Sequence, residues 1–173
     1  MKYFLTLLFL FLSNTGYTNQ CIVGDCENGY GTYEFSKGDA KGDKYTGENK
    51  NNESHGLGTY YFADEDKYVG EFKNNLRNGL GTYYFSDGSV YKGEYRNNKK
   101  HGIGNWKFSN GNTYVGDFVN GSFEGYGIYI FNNGSRYLGE FKDNQFNGEG
   151  IFIRSDNSVL RGLWKDDKLI EEK

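Results

Sequence analysis

Proline is absent from this 173-residue chain, which also holds only two cysteines, two histidines and one methionine. With so few thiols and imidazoles there is no Cys/His zinc spacing to consider, and neither a phosphate-binding glycine loop nor a nucleophile elbow occurs. His55 and His101 stand directly before equivalent glycines, so they read as one turn residue in two copies of a repeat. No catalytic residue, metal ligand or cofactor is expected, and the chain reads as a non-enzyme. A basic excess is lacking as well: the formal net charge is −3. That argues against holding nucleic acid or an anionic membrane by charge, since both need a basic stripe. The one basic cluster, Lys99-Lys100-His101, reads as a solvated turn.

Branched aliphatic residues are few, yet the chain carries 26 glycines, 16 tyrosines and 14 phenylalanines. Bulk must therefore come from rings, each of which can bury a large apolar area. The glycines and rings fall in columns. Tyr45, Tyr68, Tyr91, Tyr114, Tyr137 and Leu160 are each 23 residues apart. Two residues after each stands a glycine, and a Gly-x-Gly block follows, as in Gly79-x-Gly81 and Gly102-x-Gly104. A period of this length marks a stacked-repeat architecture. An earlier copy at Gly29-x-Gly31 carries a four-residue insertion in "KGDAKGDKY".

Each unit holds two alternating runs, such as "YKGEY" and "GNWKF", joined by "RNNKKHGI" and followed by "SNGNT". The runs predict strands and the Asn/Gly-rich connections predict turns, leaving no room for a helix. Tyr91, Gly93 and Tyr95 share one face of their strand, and Gly104, Trp106 and Phe108 share one face of the next. A register with Gly93 opposite Trp106, Tyr95 opposite Gly104, Gly104 beside Phe118 and Trp106 beside Gly116 would put every large ring across from a glycine. That arrangement covers bare backbone with rings. Glycines Gly88 and Gly111 instead serve turns that need positive φ. The fold class expected is all-β: one elongated antiparallel sheet of consecutive β-hairpins, a solenoid roughly 50 to 60 Å long at about 9 to 10 Å per repeat.

The pattern Tyr-x-Gly-Glu-aromatic, a polar loop, then Gly-x-Gly-x-aromatic-x-aromatic resembles the MORN (membrane occupation and recognition nexus) repeat. Tyr91, Gly93, Glu94, Tyr95, Gly102, Gly104, Trp106, Phe108 and Gly111 match it at every marked column. The resemblance covers about Gly29 to Trp164 and implies a sheet of consecutive hairpins acting as a scaffold or attachment module, in some relatives at membranes. Asn49, Glu65 and Arg154 depart from the pattern in the outer repeats.

The organisation expected is a signal peptide over 1–20, a partial repeat with its insertion over 21–44, five repeats over 45–159, and a half-repeat with a cap over 160–173. The signal peptide rests on the apolar run from Tyr3 to Leu12, too short to span a bilayer. It points to a secreted or cell-envelope protein. Cys21 and Cys26 are spaced to close a small disulfide loop in an exported chain. An alternative reading makes Cys21 a lipid-modified terminus. "TNQCIVGDCENG" supplies a degenerate first strand with Ile22 in the ring column, and "KDDKLIEEK" brings no second strand but a cap that folds Leu169 and Ile170 over the last rings.

Two surfaces stand out. Curling of the sheet makes a ring-lined trough from Tyr68, Tyr83, Phe85, Tyr91, Tyr95, Trp106, Phe108, Tyr114 and Tyr129. The opposite face turns aliphatic toward its end, at Tyr126, Ile128, Ile130, Leu138, Ile151, Ile153 and Leu163, and large apolar patches seldom stay in water. The carboxylates Glu48, Glu71, Glu94, Asp117 and Glu140 on that face read as a solvated ladder with nearby lysines. The function expected is a non-catalytic protein-interaction or scaffold module with a protein partner or self-association. Membrane or phospholipid attachment is the alternative, disfavoured by the net acidity.

Overall fold

The computed structural model describes residues 20–173. The expected signal peptide lies almost wholly outside them. Fourteen strands follow one another, β1 (Gln20–Gly24), β2 (Tyr30–Glu34), β3 (Lys44–Lys50), β4 (Glu53–Tyr61), β5 (Lys67–Lys73), β6 (Leu76–Tyr84), β7 (Val90–Arg96), β8 (Lys99–Lys107), β9 (Thr113–Val119), β10 (Ser122–Ile130), β11 (Arg136–Lys142), β12 (Gln145–Ile153), β13 (Val159–Lys165) and β14 (Lys168–Glu172). They form one open antiparallel sheet in sequence order. No helix occurs among the described residues. At about 4.8 Å per strand the sheet extends about 60 Å along its pairing direction.

The loops are shorter than the polar stretches suggest. Asn97 and Asn98 both have positive φ, 49° and 66°, and alone connect β7 to β8. Two successive left-handed residues make the tight turn whose twist matches a hairpin, and asparagine tolerates that region. Lys99 to Gly102 are therefore strand, not loop. Asn51-Asn52, Asn74-Asn75, Asp143-Asn144 and Asp166-Asp167 repeat the device. Asp166-Asp167 turns the chain into β14, so the C-terminal segment does form a second strand. Leu169 packs against the core, whereas Ile170 is exposed.

The expected register is off by two residues at Gly93 and by four at Tyr95, which pairs Lys100 rather than Gly104. Gly93 pairs Gly104 and Tyr91 pairs Trp106. On the other side of β8, Gly104 pairs Gly116, Trp106 pairs Tyr114, and Phe118 pairs Gly102 rather than Gly104. Glycines thus face glycines in one row, from Gly31 through Gly47, Gly58, Gly70, Gly81, Gly93, Gly104, Gly116, Gly127, Gly139 and Gly150 to Gly162. The two-residue turn sets the pairing at Arg96 and Lys99, and two extra residues on β8 between His101 and Gly104 shift it. Gly102, at φ 57°, supplies the conformation this bulge requires.

The rings still use the glycines as sockets, but diagonally. Tyr91 leans along its own strand, its hydroxyl donating to the Glu94 carbonyl at 3.0 Å. A Cβ on Gly104 would stand 2.6 Å from the Tyr91 ring. Tyr45, Tyr68, Tyr114 and Tyr137 make the equivalent bond at 2.6, 3.0, 2.9 and 3.0 Å. Between these tyrosines sit Phe72, Tyr95, Phe118 and Phe141, ending at Trp164, with centroids 5.0 to 5.4 Å apart and edge-to-face contacts throughout. This geometry suits the ring quadrupole, and it makes one unbroken core from β3 to β13.

The carboxylate ladder is structural rather than merely solvated. Glu71 accepts the Leu80 N–H at 2.8 Å, and Glu48, Glu94, Asp117 and Glu140 accept those of Leu57, Ile103, Tyr126 and Glu149 at 3.1 to 3.4 Å. Each carboxylate satisfies an amide at the bulge and lies over its positive-φ glycine. Among the described residues the single ion pair is Lys173–Glu149. At the other end Cys21 and Cys26 are joined in a disulfide. Ile22 sits exposed at an irregularity between Cys21 and Val23 instead of in the ring column.

Candidate functional site

The ring face carries a groove made of three successive hollows across the strands, the first two sharing Arg77 and Asn98. One wall is the row of first turns, Asn75, Asn98, Gly121, Asn144 and Asp167. The other is the second-strand rings Tyr60 and Phe62, Tyr83 and Phe85, Trp106 and Phe108, Tyr129 and Phe131. Between them lies a column the sequence reading did not single out: Ser54, Arg77, Lys100, Phe123, Phe146 and Leu169, again 23 apart. Each turn locks onto this column, the Asn98 N–H donating to the Arg77 carbonyl at 3.0 Å and the Arg77 N–H to Asn98 Oδ1 at 2.9 Å. Asn75, Asn144 and Asp167 repeat the side-chain bond to Ser54, Phe123 and Phe146.

Of the residues expected in the trough, Tyr68, Tyr91 and Tyr114 are fully buried beneath it and present no surface to a ligand. Tyr83 and Tyr95 are nearly so. Phe85, Trp106, Phe108 and Tyr129 are half-buried and line the groove. Trp106, Phe108 and Tyr129 are joined by Phe123, Phe131 and Phe146 around a hollow of about 530 Å³, bordered by Asn144 and Asp167. The periodic column is visible in the sequence, but the composition of Lys99-Lys100-His101 points to a turn.

Lys100 is instead a strand residue. Its Nζ lies 3.4 Å from the Trp106 ring centroid and 5.3 and 5.4 Å from those of Phe85 and Tyr91. Burial, and then the positive charge of Arg77, push its ammonium down to about 8. The Arg77 guanidinium lies over Tyr83, Tyr95, Tyr68 and Phe62 at 5.2 to 5.9 Å. Asn98 holds it through its carbonyl at 3.2 Å and its Oδ1 at 3.4 Å. Burial raises the buried tyrosine hydroxyls well above their usual range. They stay neutral donors at physiological pH.

On the opposite face the aliphatic residues come together across strands. Val115, Ile128, Leu138 and Ile151 are successive cross-strand neighbours. Ile130 and Ile153 flank Arg136 in the next row, while Leu163 faces Glu149. Tyr126 is 69% exposed. Leu57, Leu80 and Ile103 occupy the same Gly-x-Gly position as Tyr126 and are equally open, so apolar exposure reaches further along this face than the C-terminal patch.

Among known structures the chain is similar to the TCP domain of SAS-4 (dCPAP) from Drosophila melanogaster, solved with a proline-rich motif of Ana2 (dSTIL). The identity is 14%, 79% of each chain is covered and the TM-score is 0.46. It is also similar to the TCP10 domain of CPAP from Danio rerio in complex with a STIL peptide. There the identity is 12%, 84% of this chain and 64% of that one are covered, and the TM-score is 0.48. No curated protein sequence matches. The sequence model described as MORN repeat matches residues 27–40, 45–67, 68–90, 91–113, 114–136 and 137–159. Those windows contain the stacked hairpins whose tyrosines, bulge carboxylates and glycine row have just been described. The chain belongs to the MORN repeat family.

Proposed function

We propose that the chain is a non-catalytic protein-interaction module whose ring-face groove receives an extended segment of a partner protein. One observation carries this: three hollows follow one another past several hairpins, each lined by turn residues on one side and second-strand rings on the other. Aromatic side chains left partly open in a concave site supply contact area at low entropic cost. Selection of a random 16-residue peptide library on the immobilised chain tests it. Peptides are expected that bind the parent and not the Phe131→Asp/Phe146→Asp variant. Recovery of none, or of peptides that bind both alike, would refute the reading.

Attachment to phospholipid is the competing reading, and sedimentation with phosphatidylserine vesicles separates the two. The chain is expected to stay in the supernatant. Export from the cytoplasm is part of the proposal, supported by the apolar run from Tyr3 to Leu12 and by a disulfide at Cys21 and Cys26. Self-association through Ile128, Leu138 and Ile151 is a second reading, favoured by their contiguity. Solution mass of the parent and of Ile128→Lys/Ile151→Lys decides it, with a monomeric parent ruling it out.

A further inference from the structure

The groove is not uniform along its length. Its floor column changes from Arg77 and Lys100 to Phe123 and Phe146. Neither cation has a carboxylate within ion-pair distance among the described residues, where Lys173–Glu149 is the single pair. Among the described residues no acceptor takes a hydrogen bond from Lys100 Nζ, and the Arg77 guanidinium bonds only to Asn98. Two cations of like sign that face rings and Asn98 but no carboxylate, in a partly desolvated site, would be stabilised by an anion that joins them. The wall is also lowered there. In the turn column Asn75, Asn98, Gly121, Asn144 and Asp167, the residue without a side chain is Gly121, which borders the hollow of about 330 Å³ shared by Arg77, Tyr95 and Lys100.

Resting on the reading of the groove as a peptide site, we propose that Arg77 and Lys100 form an anion-reading subsite for a carboxylate side chain of an extended partner segment. Large apolar side chains three and six residues from that carboxylate then seat near Phe123 and Phe146. The spacing follows from geometry. One hairpin advances the column by two strand spacings, about 9.6 Å. Three residues of a polyproline-type chain complete one turn and advance about 9.3 Å, which returns every third side chain to the same side. A segment lying along the groove therefore offers every third side chain to successive hairpins. The guanidinium, fixed by Asn98 and backed by rings, supplies directional donors, and the lysine supplies a second charge.

The test is fluorescence anisotropy with labelled synthetic 12-residue peptides and the full chain. One peptide carries Asp with Leu at the third and sixth positions after it, one has the reversed order, and matched peptides carry Asn for Asp. The acidic peptide in one orientation is expected to bind about tenfold or more tightly than its Asn counterpart. Arg77→Met/Lys100→Met should abolish that difference, leaving the Asp and Asn peptides equal whatever their common affinity. Phenylalanine in the same column at Phe123 and Phe146 shows that the fold accepts an apolar residue there. Arg77→Lys/Lys100→Arg keeps both charges and should retain the preference.

If the Asp and Asn peptides bind equally, and both lose binding in Phe131→Asp/Phe146→Asp, the subsite is overturned while the groove reading stands. If neither peptide binds and library selection also recovers nothing, both fall. Binding of phosphatidylserine vesicles that requires Arg77 and Lys100, without binding of the acidic peptide, overturns the peptide as occupant in favour of a lipid headgroup.

Discussion

The ring of Tyr91 lies over Gly104 of the neighbouring strand, so close that a Cβ there would meet its ring carbon at 2.6 Å. The same contact recurs between Tyr45 and Gly58, Tyr68 and Gly81, Tyr114 and Gly127, and Tyr137 and Gly150. Because the backbone on both sides is held by strand pairing, neither partner can yield cheaply.

Gly104→Ala is therefore expected to destabilise the chain by about 3 kcal/mol, the upper end of overpacking costs. Gly88 serves as the control. It has φ 87° and open space around it, so Gly88→Ala should cost about 1 kcal/mol, from backbone conformation alone. Urea unfolding of both variants measures the gap; equal losses would refute the socket account of the glycine row.

The bulge carboxylates act through hydrogen bonding to backbone. Glu71→Gln keeps an acceptor for the Leu80 N–H and should be nearly neutral. Glu71→Ala leaves that amide to solvent and should lower stability by about 0.5 to 1 kcal/mol. Urea midpoints of the two variants decide, and a larger loss in Glu71→Gln would point to charge instead.

Lys100 makes stability depend on pH. It faces Arg77 from β6, Phe85 beyond β6, Tyr91 and Tyr95 from β7 and Trp106 on its own strand. Its folded value is about 8 against an ordinary 10.5. Below pH 8 both states hold the proton and the full cost of the desolvated charge is present. Between 8 and 10.5 the unfolded chain holds a proton that the folded chain has released, so stability rises with pH. The difference between parent and Lys100→Met, which cancels the tyrosine titrations common to both, should shift toward the parent from pH 7.5 to 9.5. A flat difference would show that Lys100 is better solvated than its position implies.

Leu169 tests the last hairpin. In a solenoid, stability is a sum of neighbour terms, so a loss at one end stays there. Leu169→Ser should speed amide exchange in β13 and β14 and leave β3 and β4 unchanged. Uniform acceleration would mean that the sheet unfolds as one unit.

Much of this architecture was legible in the chain because strand side chains alternate with period two and the repeat is nearly regular. Tyr91, Gly93 and Tyr95 on one face, with the hairpin order and the absence of helix, followed from that alone. The register did not, because the bulge at Gly102 adds two residues to β8 without changing which face its neighbours occupy. Parity is preserved, so pattern reading could not detect the shift. Lys100 was misplaced for a related reason: in "NNKKHG" composition suggests a loop, whereas two asparagines suffice for the turn.

The amino-acid sequence by itself determined the repeat, the strands and the face on which the rings gather, since these depend on local periodicity and on where glycine removes bulk. Only the tertiary structure decided which tyrosines are sealed into the core and which rings stay open. It alone set Arg77 and Lys100 on one hollow of the groove floor, because that depends on how far each hairpin slides past the next.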